Sequence, residues 1–201
     1  NIQLRRCGNY GALAATAGNG RTGGVAGGSS GVIDECFNLG TVSCSPANGN
    51  NTGGIVGWVG GSAVVSNTYN KGTVTYTAAN SGTLVGNKSV AGSKIVNCYN
   101  AGRAQKDASG TALGTTGGAI NGGAKNNGTN VSGCYYLSGN GNDLGQNGTS
   151  PDDVSRVKAL SQAEMQAAAP SAEAFTDWDV SVWNFESGSY PTLKNNPEKP
   201  L

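Results

Sequence analysis

No histidine occurs among the 201 residues, methionine occurs once, and charged residues make up only 12% of the chain. The missing histidine excludes the Ser-His and Cys-His nucleophile systems and the His-bearing metalloprotease motifs, because each needs an imidazole as base or ligand. A zinc site goes with them, since none of the five cysteines is spaced as Cys-x-x-Cys. No apolar run approaches the ~20 residues of a spanning helix, so no membrane span is expected in this fragment. The opening Asn1-Ile2-Gln3-Leu4-Arg5-Arg6 has no signal-peptide pattern and no start Met, and reads as the start of a mature or excised piece.

Charge is sparse and uneven. Residues 1 to 150 carry nine Lys or Arg against four acidic residues, and residues 151 to 201 carry four against eight. Nine scattered cations do not form the basic stripe that a phosphate backbone requires, which argues against a nucleic-acid partner. Apolar residues reach only 36%, too few for a thick globular core, while glycine supplies 34 residues and Asn, Ser and Thr much of the rest. Such a chain is either an unfolded Gly-rich coil or a thin repetitive architecture in which each turn buries a few side chains.

Periodicity selects the second. Ile33-Asp34-Glu35-Cys36-Phe37-Asn38-Leu39-Gly40 recurs as Val65-Ser66-Asn67-Thr68-Tyr69-Asn70-Lys71-Gly72 and as Ile95-Val96-Asn97-Cys98-Tyr99-Asn100-Ala101-Gly102. Leu4 to Gly11 is an N-terminal copy and Val131 to Tyr136 a degenerate one, with steps of 29, 32, 30 and 36 residues between positions 7, 36, 68, 98 and 134. Between them lie Gly23-Gly24-Val25-Ala26-Gly27, Gly53-Gly54-Ile55-Val56-Gly57, Gly82-Thr83-Leu84-Val85-Gly86 and the weaker Gly117-Gly118-Ala119-Ile120-Asn121. A third element follows each Asn-x-Gly, as in Thr41-Val42-Ser43-Cys44 and Thr73-Val74-Thr75-Tyr76. The fold class expected is all-β: a parallel β-helix, or β-solenoid, of about 4 to 5 coils of roughly 30 residues, with three short strands each, over residues 1–150.

Asn9, Asn38, Asn70 and Asn100 share one repeat position, followed two residues on by Gly11, Gly40, Gly72 and Gly102. Both residue types tolerate left-handed corners, and stacked asparagines can hydrogen-bond from coil to coil; four copies in register favour such a ladder over isolated turns. Cys7, Cys36, Cys98 and Cys134 share another position, with Thr68 standing in once. They read as small buried side chains left unpaired, because parallel neighbours are poorly aimed for a disulfide. Whether the cysteine or the aromatic after it points inward is open, since Ile-x-x-Cys-Tyr breaks strict alternation.

From residue 151 composition shifts. Ser161-Gln162-Ala163-Glu164 is a capping box that predicts a short helix over 161–169. Phe175, Trp178, Trp183 and Tyr190 head the densest group of large apolar residues in the chain, and residues 151–201 are expected to form a cap over the open end of the last coil. An aromatic platform for carbohydrate is the alternative use of that cluster. More coils are expected to precede Leu4 in the parent protein.

Catalysis could rest only on carboxylates, and the repeats supply just Asp34, Glu35, Asp107 and Asp143, which do not form a recognisable pair. Asn140-Gly141-Asn142-Asp143 lacks the ligand spacing of a calcium loop. Asn-x-Ser/Thr sequences, such as those at Asn87 and Asn130, are expected by chance in this composition, and no Thr-x-Thr row suggests ice binding. No catalytic, cofactor or metal residue is assigned.

The stretch Gly53-Gly54-Ile55-Val56-Gly57, followed by Val65-Ser66-Asn67-Thr68-Tyr69-Asn70-Lys71-Gly72-Thr73-Val74, resembles the GLUG-motif repeat. The ending Phe175, Trp178-Asp179, Val182-Trp183 and Tyr190-Pro191-Thr192-Leu193 is similar to the segment that closes such arrays. The resemblance implies a surface protein of Gram-positive or gut bacteria, of the kind found in non-catalytic parts of IgA-specific metallopeptidases and in adhesins, with no active-site residues to carry over. It points to a non-enzymatic, secreted or cell-surface spacer that offers a face to host glycoprotein or glycan. Two alternatives are a fibre subunit, with self-association at the N-terminal coil, and an accessory domain of a larger protease or glycosidase.

Overall fold

Short, β-branched runs punctuated by glycine fold almost wholly into strands in the computed structural model, which describes residues 2–16, 20–44, 51–76, 80–88, 92–111, 117–123, 130–141 and 157–199. The strands stack into parallel sheets that each take one strand from successive repeats. The first sheet contains Gln3–Arg5, Val32–Asp34, Val64–Ser66, Lys94–Val96 and Val131–Ser132. The second runs through Gly8–Asn9, Phe37–Asn38, Tyr69–Asn70, Tyr99–Asn100, Cys134–Leu137 and Val157–Leu160. A third is built from Leu13–Ala15, Val42–Cys44, Val74–Thr75 and Ala104–Gln105, and a fourth from Ala26–Ser29, Val56–Val59, Val85–Lys88 and Asn121–Gly123. Register is constant: Val65 pairs with Ile33 and Ile95, and Tyr69 with Phe37 and Tyr99.

Each full repeat therefore contributes to four main sheets, where the sequence suggests three strands. The difference lies in the run Ile33 to Asn38. Arg6, Glu35, Asn67, Asn97 and Gly133 all have positive φ, between 48° and 59°. One left-handed residue per repeat breaks the run into two strands and turns the chain through a corner. The same corner explains the failed alternation. Ile33 and Cys36, three apart, both face the interior, and Phe37 faces out.

The interior is a column of Ile33, Val65, Ile95 and Val131 from the first sheet, Cys36, Cys98 and Cys134 from the corner, and Ile55, Leu84 and Ile120 from the Gly-rich element. Val42, Val74, Ala104 and Tyr76 form a smaller cluster behind the third sheet. Each repeat buries only a handful of such side chains, and its neighbours supply the rest of the cover.

Gly40, Gly72 and Gly102 are needed for close approach, and the left-handed corners expected of them fall elsewhere. A Cβ at Gly72 would land on the carbonyl oxygen of Gly40, and one at Gly102 on that of Gly72. The Gly-rich element obeys the same logic, because a Cβ at Gly24 would sit 2.6 Å from Asn38 Oδ1 and one at Gly54 2.5 Å from Asn70 Oδ1.

Beyond residue 150, Val157–Leu160 pairs in parallel with Cys134–Leu137 and so adds a sixth strand to the second sheet. The capping box forms: Ser161 Oγ accepts from Glu164 N, and Glu164 Oε2 accepts from Ser161 N at 2.7 Å. The helix it opens is shorter than the 161–169 expected, covering only Gln162–Met165. A two-stranded antiparallel ribbon, Trp183–Asn184 with Thr192–Leu193, follows. Among the described residues no helix is long and apolar enough to cross a membrane.

Candidate functional site

The asparagine column is continuous. Asn9 Nδ2 donates to Asn38 Oδ1 at 2.6 Å, Asn38 Nδ2 to Asn70 Oδ1 at 2.7 Å, and Asn70 Nδ2 to Asn100 Oδ1 at 2.8 Å. Each Nδ2 also donates to the carbonyl two residues on, at Gly11, Gly40, Gly72 and Gly102, over 2.8–3.1 Å. Asn38, Asn70 and Asn100 are buried, so a fully satisfied amide row replaces water inside the stack. Tyr136 pairs opposite Asn100 and ends the row.

All five cysteines are free thiols. Cys36 Sγ donates to Asp34 O at 3.2 Å, Cys98 to Val96 O at 3.2 Å and Cys134 to Ser132 O at 3.3 Å. Thr68 Oγ1 makes the equivalent bond to Ser66 O at 2.6 Å. Threonine can thus stand in for cysteine here because both are small and carry a donor for the carbonyl at the corner. Burial pushes the Cys36 thiol up to about 12 and holds Cys98 well above the usual thiol range.

The acidic residues of the repeats are absorbed into the scaffold. Asp34 pairs with Arg5 and accepts from Ser66 Oγ at 2.7 Å and Asn67 Nδ2 at 3.0 Å; Glu35 lies 3.4 Å from Arg6. Asp107 accepts from Ser109 and Thr111 in its own turn, which lowers its carboxyl. Asp143 lies outside the described residues. No group of three or more Cys, Asp or Glu that could hold a metal ion is found among the described residues.

On the outer face of the second sheet the aromatics that follow the Cys/Thr position form their own column. Phe37 and Tyr69 stack at 5.4 Å, and Tyr69 and Tyr99 at 5.0 Å with their planes 1° apart. Tyr135 continues the row, and Tyr10 closes its other end edge-on to Phe37.

Phe175, Trp178, Trp183 and Tyr190 do not seal the end of the array, as expected of a cap; they lie along this flank. Phe175 packs 5.0 Å from Tyr135, Trp178 and Trp183 lie 6.3 and 6.0 Å from Tyr99, and Tyr190 stacks on Tyr99 at 6.4 Å. The hydroxyls are met in turn. Tyr135 accepts from Thr176 N at 3.1 Å, Tyr99 donates to Pro191 O at 2.7 Å, Tyr69 donates to Glu198 Oε1 at 2.7 Å, and Tyr10 accepts from Lys199 N at 2.6 Å. Residues 175–199 thus form a strap running back from the last repeats to the first. The physical reason is the outward aromatic column itself. Left bare, it would be an apolar strip, and each ring fully covered contributes on the order of 2 kcal/mol.

Trp58 and Tyr76 lie in different parts of the wall. Tyr76 is fully buried behind the third sheet, and Trp58 is half-buried on the fourth with the Arg21 guanidinium 3.9 Å above its ring. A concave feature lies between the strap, the end of the short helix and Lys71 beside the second sheet. It is a cleft of about 360 Å³, walled by Lys71, Gln166, Asn184, Glu186, Tyr190 and Glu198 among others. Lys71 pairs with Glu198, and Asn184 Nδ2 donates to Glu186 Oε1 at 3.0 Å, so both carboxylates are engaged as acceptors. Sequence reading named Tyr190 but none of its polar companions. Lys71 fills a repeat position where the other copies have Tyr10, Leu39 and Ala101, which is the only mark it carries.

No protein-family model, curated protein or solved structure matches this chain.

Proposed function

We propose that this chain is a non-catalytic structural and adhesive module of a secreted bacterial surface protein, a parallel β-solenoid of the GLUG-motif type that acts as a stiff spacer. The observation that carries the reading is the unbroken amide row Asn9-Asn38-Asn70-Asn100, which ties successive repeats to one another through their buried side chains. Parallel sheets in register support it, because load applied along the stack is shared by main-chain and amide bonds at every step. Each described acidic residue of the repeats is held in a scaffold contact, as a structural role requires. Single-molecule force spectroscopy tests the reading. A spacer unfolds in defined high-force events, whereas featureless extension at low force would remove the basis for it.

One observation favours a second reading, end-to-end fibre formation. Among the described residues, Gln3–Arg5, Gly8–Asn9, Leu13–Ala15 and Ala26–Ser29 each pair with a strand on one side only. Unpaired edges of this kind accept further strands. Sedimentation over a concentration series distinguishes the two: open-ended growth supports the fibre, and a constant monomer supports the spacer.

A further inference from the structure

We infer that the cleft between the strap and the second sheet is a binding site for an uncharged oligosaccharide. This rests on the adhesive half of the reading above and is independent of the stiffness of the stack. The cleft is lined by amide, carboxylate, ammonium and hydroxyl groups as well as by the Tyr190 ring. Its volume of about 360 Å³ falls in the ~300–1,000 Å³ range of small-ligand sites.

The lining matches a sugar in three respects. Asn184 and Gln166 offer paired donor and acceptor atoms, and Glu186 and Glu198 offer acceptors, the arrangement that vicinal hydroxyls satisfy. Tyr190 supplies an aromatic ring for a pyranose face, held in place by Tyr99 at 19° to its plane. Charge then sets the class. One ammonium against two carboxylates leaves the cleft slightly negative, and Lys71 is already paired with Glu198. A sulfated, sialylated or uronic glycan would meet like charge, whereas a neutral or N-acetylated one would not.

The site is preorganised. Glu186 is oriented by Asn184, Glu198 by Lys71 and the Tyr69 hydroxyl, and Gly188 N donates to Gln166 O at 3.0 Å to hold the ribbon turn beside the helix. Little ordering cost is left for the ligand to offset.

The test is a glycan array carrying neutral, N-acetylated, sialylated and sulfated oligosaccharides, probed with the full chain and followed by calorimetry on the tightest ligand. Binding to neutral or N-acetylated glycans is expected, with affinity lowered about tenfold by Asn184→Ala and by Tyr190→Leu, which removes the aromatic ring. Gln166→Ala, at the rim of the cleft, serves as a third variant should Asn184→Ala disturb the ribbon. No glycan bound, binding to anionic glycans alone, or equal affinity in all three variants overturns the inference. Defined high-force unfolding alongside a blank array would sink this site and leave the spacer reading standing.

Discussion

The side-chain amide of Asn38 donates to that of Asn70 at 2.7 Å across 32 residues of chain, and Asn70 repeats the gesture to Asn100. Opposite them stand Gly24 and Gly54, whose missing side chains leave the room that the carboxamides occupy. The Asn-x-Gly and Gly-Gly elements are therefore two halves of one contact made across the interior.

Replacing the middle rung should cost more than replacing the outer one. Asn70→Ala removes two donated bonds and one accepted bond in a dry site, for a loss of roughly 2–4 kcal/mol. Asn9→Ala, at the half-buried end, should cost clearly less. Urea midpoints of the two variants check the order.

Gly72→Ala drives a Cβ into the Gly40 carbonyl, and backbone stacked on both sides has no room to yield. A loss of about 3 kcal/mol is expected. Gly20→Ala is the control, because no atom lies within 4 Å of its Cβ position. It should change stability by less than ~1 kcal/mol, in the stabilising direction. Thermal melts of both variants give the comparison.

Thiol reactivity should divide the cysteines. Cys7 is half-buried and the other four are buried, so an aromatic disulfide reagent at neutral pH should label one thiol quickly and the rest only in denaturant. Cys98→Thr should fold with native-like stability, since Thr68 already makes the same corner bond. Rapid labelling of several thiols in the native chain would contradict the placement of this column.

Alkali should weaken the fold. Burial raises the thiols of Cys36 and Cys98 and the phenols of Tyr69 and Tyr99, so the unfolded chain releases these protons before the folded one does. Their stabilisation is complete below the unfolded thiol value of about 8.5 and is lost as pH rises above it. Lys88, lowered by burial, acts in the opposite direction, but as one group against the two thiols, the phenols joining only above about pH 10. Each thiol should cost about 1.4 kcal/mol per pH unit beyond its unfolded value, and Cys98→Thr should flatten the profile. Denaturant midpoints between pH 7 and pH 10 measure it.

The strap predicts a localised response. Ending the chain at Asn195 removes the bonds from Asn196 to Glu35 O, from Glu198 to Tyr69 and Lys71, and from Lys199 to Tyr10. Exchange of amides around Phe37 and Tyr69 should quicken while those near Tyr135, held by Phe175 and Trp178, keep their protection. Uniform quickening would mean that the strap and the stack unfold as one.

How much was legible follows from the range of each interaction. The β class, the period, the asparagine row and the equivalence of Cys with Thr all recur at fixed spacing, so one stretch of sequence reports on the next. The corner at Arg6, Glu35, Asn67, Asn97 and Gly133 left only a broken alternation as its trace, because several residue types can be held in a left-handed conformation when their neighbours demand it. The aromatic after each Cys/Thr position was visible, but its side of the wall depended on that corner.

Repetition alone, then, carried the thin interior, since identical spacing brings identical side chains into columns wherever coils stack. The course of residues 175–199 belonged to the folded molecule. Nothing local in Phe175, Trp183 or Glu198 distinguishes a lid over an open end from a strap along a flank. The choice followed from where Tyr10, Tyr69, Tyr99 and Tyr135 presented their hydroxyls and rings once the column existed.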